Sequence, residues 1–122
     1  MLLFLFNCIV STSFIEYGMH YFYHKLNIGI HLTHHQDYQN NTVEFEYYFL
    51  AISVMFYYYE YYILCFGSIK YLTLHTMIHH YPHYLPSYIV NHHLSHHSKY
   101  PNHNMAVSLP ILDTLFNTRK IS

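Results

Sequence analysis

The histidines of this chain recur at intervals of three and four residues, and this spacing restricts the fold more than any other feature. Eight of the 14 histidines lie within residues 75–97, and five more lie within residues 20–35. An H-x-x-x-H pattern and an H-x-x-H-H pattern occur in both stretches. Their members are His20, His24, His31, His34 and His35 in the first stretch, and His75, His79, His93, His96 and His97 in the second. The two stretches repeat one arrangement.

This spacing indicates a metal site built on helices. Residues three and four apart share a helix face, with Cβ atoms about 5–6 Å apart, so each motif directs two or three imidazoles to one point. Neutral imidazole is a suitable ligand for Zn, Fe, Cu or Ni. One zinc ion takes about four ligands, so ten convergent imidazoles predict two metal ions. No cysteine lies within the motifs, which excludes a thiolate cluster.

The alternative interpretation is a histidine-rich tract that binds metal adventitiously and does no chemistry. Random enrichment would not repeat the three-and-four spacing in four motifs, so the spacing favours a dedicated site. For single histidines outside the motifs, such as His83 and His103, a structural or surface role is the better interpretation.

The composition indicates a membrane protein of one domain. The 122 residues are 52% hydrophobic and 9% charged, whereas a soluble domain carries about 25% charged residues. The net charge is −1 and no basic run is present, which excludes nucleic acid as the partner. Cys8 and Cys65 both lie in apolar runs and do not form a disulfide framework.

Residues 1–19 form an apolar run that we expect to be a retained membrane helix. Nineteen residues of helix reach about 28 Å, against a bilayer core of about 30 Å. The alternative is the apolar part of a signal peptide, but the run has no basic segment before it and no convincing small-residue cleavage site.

Residues 43–74 form a second apolar region, which we interpret as a shallow membrane hairpin. A single crossing would place the late histidines on the opposite side of the membrane from the early ones, so a common site requires two crossings. Two legs of about 15 residues reach only about 22 Å each, so the hairpin is shallow or thins the bilayer locally. Its tip is predicted at residues 57–62, because tyrosines favour the interface and Glu60 avoids the core.

The predicted fold is therefore all-α, with one N-terminal span, a shallow hairpin and a helical, histidine-rich di-metal domain. The segments are a membrane helix at 1–19, the first motifs at 20–36 with a break at Asn27 and Gly29, a polar turn at 37–42, the hairpin at 43–74, the last motifs at 75–97 and a tail at 98–122. Pro101 and Pro110 predict that the tail is a loop followed by a short amphipathic helix, lying against the metal domain or the membrane surface.

The five basic residues predict the orientation. All lie on the histidine side of this topology, so the positive-inside rule places the histidine face in the cytosol. We expect an integral protein of an endoplasmic reticulum-like membrane.

These motifs, followed by N-M-A-V-S-L-P-I-L-D-T-L-F-N-T at residues 104–118, resemble the fatty acid hydroxylase and sterol desaturase superfamily of membrane di-iron enzymes. Its members typically close with a segment like N-F-G-V-x-L-P-x-W-D-x-L-F-G-T. E-Y-G-M-H at residues 16–20 looks like the E-Y-x-L-H of the fatty acid 2-hydroxylase branch, and residues 67–80 and 92–97 resemble that branch's later histidine motifs. The resemblance covers about residues 14 to 119.

The resemblance implies a set of metal ligands. They are His20, His24, His31, His34, His35, His75, His79, His93, His96 and His97. His80 and His92 match less consistently used positions and are expected to orient the ligands from outside. His83 and His103 match no position of the family, and Asp113 resembles a tail aspartate that acts as a structural anchor.

The activity implied is an iron-dependent oxygenase that hydroxylates a lipid acyl chain with O2. Two iron ions would be held by the histidines, with no separate catalytic residue, and a b-type cytochrome and its reductase would supply electrons. The isolated protein could carry zinc instead, but zinc cannot cycle its oxidation state.

Three alternatives remain beside the hydroxylase. One is a lipid or sterol desaturase of the same superfamily, and another is a catalytically inactive, reduced metal-binding membrane protein, which the short spans favour. The third, a zinc hydrolase, is disfavoured because the chain has no H-E-x-x-H motif.

Overall fold

Helices make up most of the computed structural model, which describes residues 1–36, 38 and 43–120. In chain order they are α1 Leu2–Lys25, α2 Gly29–Gln36, α3 Val43–Tyr58, α4 Tyr62–His80, α5 Ser87–Ser98 and α6 Ile111–Leu115. A short 3₁₀ helix, Pro82–Tyr84, lies between α4 and α5. Because no strand occurs among the described residues, the all-α prediction is confirmed for them.

Helix α1 is long and apolar enough to cross a membrane, and among the described residues it alone is so. Its 24 residues reach about 36 Å, which exceeds a bilayer core of about 30 Å. The predicted span ends near Met19 within a continuous helix, because α1 runs unbroken to Lys25, two residues before the predicted break at Asn27. The first two histidines therefore stand on the same rigid helix as the apolar run.

Helices α3 and α4 form an antiparallel hairpin. The turn at residues 59–61 lies within the predicted tip, and Glu60 occupies it with a φ of 63° in the left-handed region. Ser53 on α3 donates a hydrogen bond to Ser68 on α4 across 2.8 Å in the buried seam. With 16 and 19 residues, the two legs reach about 24 and 28 Å. Insertion of this hairpin into a bilayer stays a prediction.

Helix α4 also packs closely against α1. A Cβ atom at Gly67 would lie 3.0 Å from the Cβ of Thr12, so a glycine permits the helices to approach at this point. One turn later Lys70 donates from Nζ to the hydroxyl of Ser13 across 2.8 Å. The contact places the apolar run of α1 beside the hairpin and so brings the early and late histidine motifs to the same end of the molecule.

The predicted helix break lies where α1 gives way to α2. Asn27 has a φ of 51°, and α2 begins at Gly29, so the chain reverses between two histidine motifs. The predicted polar turn at residues 37–42 lies outside the described residues except for Tyr38. The reversal returns the histidines of α2 toward those of α1.

The C-terminal tail folds onto the helical histidine domain. Asn104, Met105, Ala106 and Val107 are each 2% exposed or less, and they pack between α1 and the end of α5. Helix α6 has five residues and buries Leu112 and Asp113 while it exposes its other side. The tail is thus the predicted loop and short helix, and its buried part covers one side of the histidine cluster.

Candidate metal centre

Five of the ten predicted ligands meet in a first cluster. α1 supplies His20 and His24, α2 supplies His31 and His35, and α5 supplies His96. One ring nitrogen from each lies within 4.8 Å of one ring nitrogen of every other. Residues separated by up to 76 positions in the sequence are therefore arranged around one point that could hold a metal ion.

A second cluster of four lies beside the first. It consists of His34 from α2, His75 and His79 from α4, and His97 from α5, again with ring nitrogens within 4.8 Å of one another. The tenth predicted ligand adjoins this cluster, because the Nε2 atom of His93 is 3.2 Å from that of His79 and 3.0 Å from that of His97. The structure thus brings all ten together.

Neighbouring histidines in the sequence serve different clusters. His34 and His35 diverge in this way on α2, and His96 and His97 diverge on α5, because adjacent helix residues point in directions about 100° apart. The rings of His35 and His97 are 4.3 Å apart between centroids, so the two clusters are contiguous. Both H-x-x-H-H motifs therefore supply ligands to both clusters.

Hydrogen bonds alone do not account for the crowding of nitrogens around His96. Its Nδ1–H donates to the carbonyl oxygen of His103 across 2.6 Å, so Nε2 of the neutral ring offers a single lone pair. Yet that Nε2 atom is 3.1 Å from Nε2 of His24 and 3.0 Å from Nε2 of His35. Two nitrogens bound at right angles to one ion, each at about 2.1 Å, lie about 3.0 Å apart. The spacing suits ligands of a shared ion.

His20 fits the same interpretation. Its Nδ1–H donates to the carbonyl oxygen of Met105 across 2.6 Å, which leaves Nε2 as the atom with the lone pair. This Nε2 atom is buried and has no hydrogen-bond partner in the part of the chain that the structure describes. A metal ion at the centre of the cluster would satisfy it.

The histidines of α2 and α5 are held in the form that binds metal. Burial is the larger cause and the neighbouring imidazoles are the smaller one, and together they lower the pKa of His31 and of His35 to about 2. Burial also lowers the pKa of His34 to about 3 and the pKa of His93 well below its ordinary value. These rings are neutral at pH 7, and a neutral ring keeps the lone pair that a ligand needs.

Of the two histidines expected to orient the ligands from outside, His92 contacts Asp113, and its orienting role stays a prediction. Its Nε2–H donates to that carboxylate across 2.8 Å. Burial raises the pKa of Asp113, but hydrogen bonds from His92, Thr118 and two backbone amides outweigh it and place the pKa below its ordinary value. The expected anchoring role of Asp113 thus has a physical basis. His80 instead pairs with Glu46 across 3.4 Å.

No role was predicted for Glu16, yet this residue is only 8% exposed. It accepts hydrogen bonds from the backbone amides of Val107 and Ser108, and Lys70 approaches it to 3.5 Å. The signal was available, since a carboxylate inside an apolar run is costly and marks a paired or functional position. The contact of His103 with the site was also not predicted, because it involves only the backbone carbonyl, which accepts a hydrogen bond from His96.

An apolar cavity of about 510 Å³ adjoins the first cluster. Helices α1, α3 and α4 form its walls, with side chains such as Met19, Ile52 and Phe56. His20 is the one predicted ligand in its lining. The apolar space between α1, α3 and α4 therefore reaches the histidine site at His20.

Comparisons with known proteins add no assignment. No protein-family model, no curated protein and no solved structure matches this chain. The resemblance of the motifs to the hydroxylase and desaturase superfamily therefore stays a prediction.

Proposed function

We propose that this chain is a membrane-bound non-haem di-iron oxygenase that hydroxylates a lipid acyl chain. The observation that carries the proposal is the juxtaposition of two contiguous histidine clusters with an apolar cavity whose lining includes one predicted ligand, His20. Two metal positions beside a water-poor compartment suit the oxidation of an unactivated C–H bond, for which the protein supplies orientation and the exclusion of competing reactions.

Iron is the metal proposed for both clusters. The donors are imidazole nitrogens, which suit iron as well as zinc, but zinc cannot change oxidation state. When bound, an iron pair would supply the reductive activation of O2. Electrons would come from a b-type cytochrome and its reductase.

The chain's own residues would position the ions and exclude water. Imidazoles from α1, α2 and α5 hold the first ion, and those from α2, α4 and α5 hold the second. Thr12, Met19 and Tyr23 line the cavity along one face of α1, over a length of about 16 Å. An acyl chain lying along this face would reach His20 without leaving apolar surroundings.

The cavity also bears on the inactive alternative. A reduced metal-binding protein that had lost its substrate compartment would have no reason to keep a space of about 510 Å³ beside the ligands. Polar side chains that line the cavity, such as Ser68 and Thr12, bond to backbone carbonyls of their own helices and leave its surface largely apolar. These features favour the enzyme.

The proposed location is an endoplasmic reticulum-like membrane, with the histidine face in the cytosol. Helix α1 supports membrane insertion by its length and composition. Its first residues are strongly exposed, with Leu2 at 81% and Leu3 at 72%, as side chains in contact with lipid would be. Lys25 is the last residue of α1 and Lys99 directly follows α5, and both helices carry histidines of the site, which supports the cytosolic orientation.

Expression of the chain in cells supplied with 18O2 tests the proposed activity. We expect hydroxylated acyl chains that carry one 18O atom in the extracted lipids, and we expect none with the His34→Ala variant. New double bonds without label would instead identify a desaturase. A lipid profile equal to that of the variant, from a chain that binds two irons, would contradict the oxygenase and support the inactive alternative.

A further inference from the structure

The two clusters differ in what holds their ligands. In the first cluster, Nδ1 of His20 donates to the carbonyl of Met105, and Nδ1 of His96 donates to the carbonyl of His103, each across 2.6 Å. In the second, the buried Nδ1 atom of His97 has no hydrogen-bond partner among the described residues, and the same holds for His93, which adjoins that cluster, and for His35 of the first. Both carbonyls belong to one short stretch of the tail, residues 103–108.

Two carboxylates accept hydrogen bonds from four successive backbone amides of this stretch. Asp113 accepts from the amides of Met105 and Ala106 across 2.7 and 2.8 Å. Glu16 accepts from the amides of Val107 and Ser108 across 2.9 and 2.8 Å. Hydrogen bonds to a charged acceptor are about twice as strong as neutral ones, so the position of the stretch is tightly determined.

Each carboxylate is also tied to a helix that carries a ligand. Glu16 lies one turn before His20 on α1. Asp113 accepts a hydrogen bond of 2.8 Å from His92, which lies one turn before His96 on α5. The tail stretch is therefore fixed in position against α1 and α5. These are the same two helices whose imidazoles donate hydrogen bonds to its carbonyls.

We infer that residues 103–108 are a positioning segment for the first cluster alone, with Glu16 and Asp113 as its positioning residues. This inference rests on the proposed binding of a metal ion to each cluster. The carbonyls fix the tautomer that leaves Nε2 free and hold each ring in the direction of the ion. Loss of such outer partners typically lowers metal affinity 10- to 100-fold.

Replacement of Asp113 by asparagine probes the segment with little change in volume. The carboxylate receives hydrogen bonds from His92, Thr118 and the amides of Met105 and Ala106. An amide group turns one acceptor atom into a donor, so at least one of these donors loses its partner. The carbonyl of Met105 then no longer has a fixed position beside His20.

The test is made in two background variants, each of which keeps one cluster able to bind metal. His75→Ala removes a ligand of the second cluster and leaves the first intact, and His24→Ala removes a ligand of the first and leaves the second intact. Binding of Co2+ to the full chain in detergent is followed by its visible ligand-field absorption and by metal analysis. Circular dichroism checks that each variant keeps its helix content, and Thr114→Ala, an exposed neighbour of Asp113 on α6, is the matched control.

We expect Asp113→Asn to weaken Co2+ binding about 10- to 100-fold and to change the absorption spectrum in the His75→Ala background. In the His24→Ala background we expect no change, and Thr114→Ala should have no effect in either. Glu16→Gln is the second variant and should reproduce this pattern.

Equal weakening in both backgrounds, or none in either, would overturn the inference while leaving metal binding by the wild type intact. A wild-type chain that binds no Co2+ would overturn the proposed metal site, and the inference with it.

Discussion

Replacement of His96 by alanine is expected to remove one of two metal ions from the purified chain. The Nε2 atom of His96 is 3.1 Å from that of His24 and 3.0 Å from that of His35, which places it at the centre of the first cluster. His34→Ala should remove the other ion, since His34 belongs to the second cluster. Metal content per chain, measured by mass spectrometry of the purified protein in detergent, gives the result.

His103→Ala is the matched control for His96→Ala. The two residues are hydrogen-bonded, but His103 contributes its backbone carbonyl, which an alanine retains. This variant should therefore keep both ions. Retention of two ions in both His96→Ala and His34→Ala would refute the assignment of these histidines as ligands.

Replacement of Ile52 by tryptophan is expected to abolish the lipid product while both ions remain bound. Ile52 lies on α3 and lines the cavity of about 510 Å³, so an indole ring would occupy the space proposed for the acyl chain. None of the ten predicted ligands stands on α3. Product formation is measured by mass spectrometry of extracted lipids, alongside metal content of the same protein.

Val54→Trp is the control for the cavity. Val54 stands on the same helix and is 62% exposed, and it does not line the cavity. Tryptophan at this position should face lipid and leave the product unchanged. Normal product from Ile52→Trp would show that the cavity is not the substrate site, and equal loss from both variants would attribute the effect to the hairpin rather than to the cavity.

The features that the sequence predicted are those with a local cause. Three-and-four spacing marks a helix face, and it placed the histidine motifs on helices. Asn27 and Gly29 marked the reversal between α1 and α2, where Asn27 has a φ of 51°. Pro110 marked the start of a short helix, α6, at Ile111. In each case a few neighbouring residues determine the backbone.

The features that the sequence did not predict depend on contacts between segments that are distant along the chain. Helical spacing shows that His34 and His35 point in different directions, but it does not show that each reaches a different cluster. The hydrogen bonds from Val107 and Ser108 to Glu16 join residues 91 and 92 positions apart. No local pattern encodes such a pairing, so the support of the first cluster by the tail emerged only from the structure.

The predicted span of α1 shows a third kind of difference. Hydropathy placed its end near Met19, where the apolar run meets the first histidine. The helix continues to Lys25, although residues 21–25 are exposed or half-buried, and it ends just before the left-handed backbone of Asn27, which has a φ of 51°. Hydropathy locates the apolar surface, whereas the backbone conformation at Asn27 marks where the helix ends.

The number of iron ions bound by the wild-type chain tests the central claim most directly. The chain would be purified in detergent, loaded anaerobically with ferrous iron, freed of unbound metal and analysed for iron per chain. Two contiguous imidazole clusters predict two ions for each chain. One ion or none would contradict the account, because each cluster would then no longer hold a metal of its own.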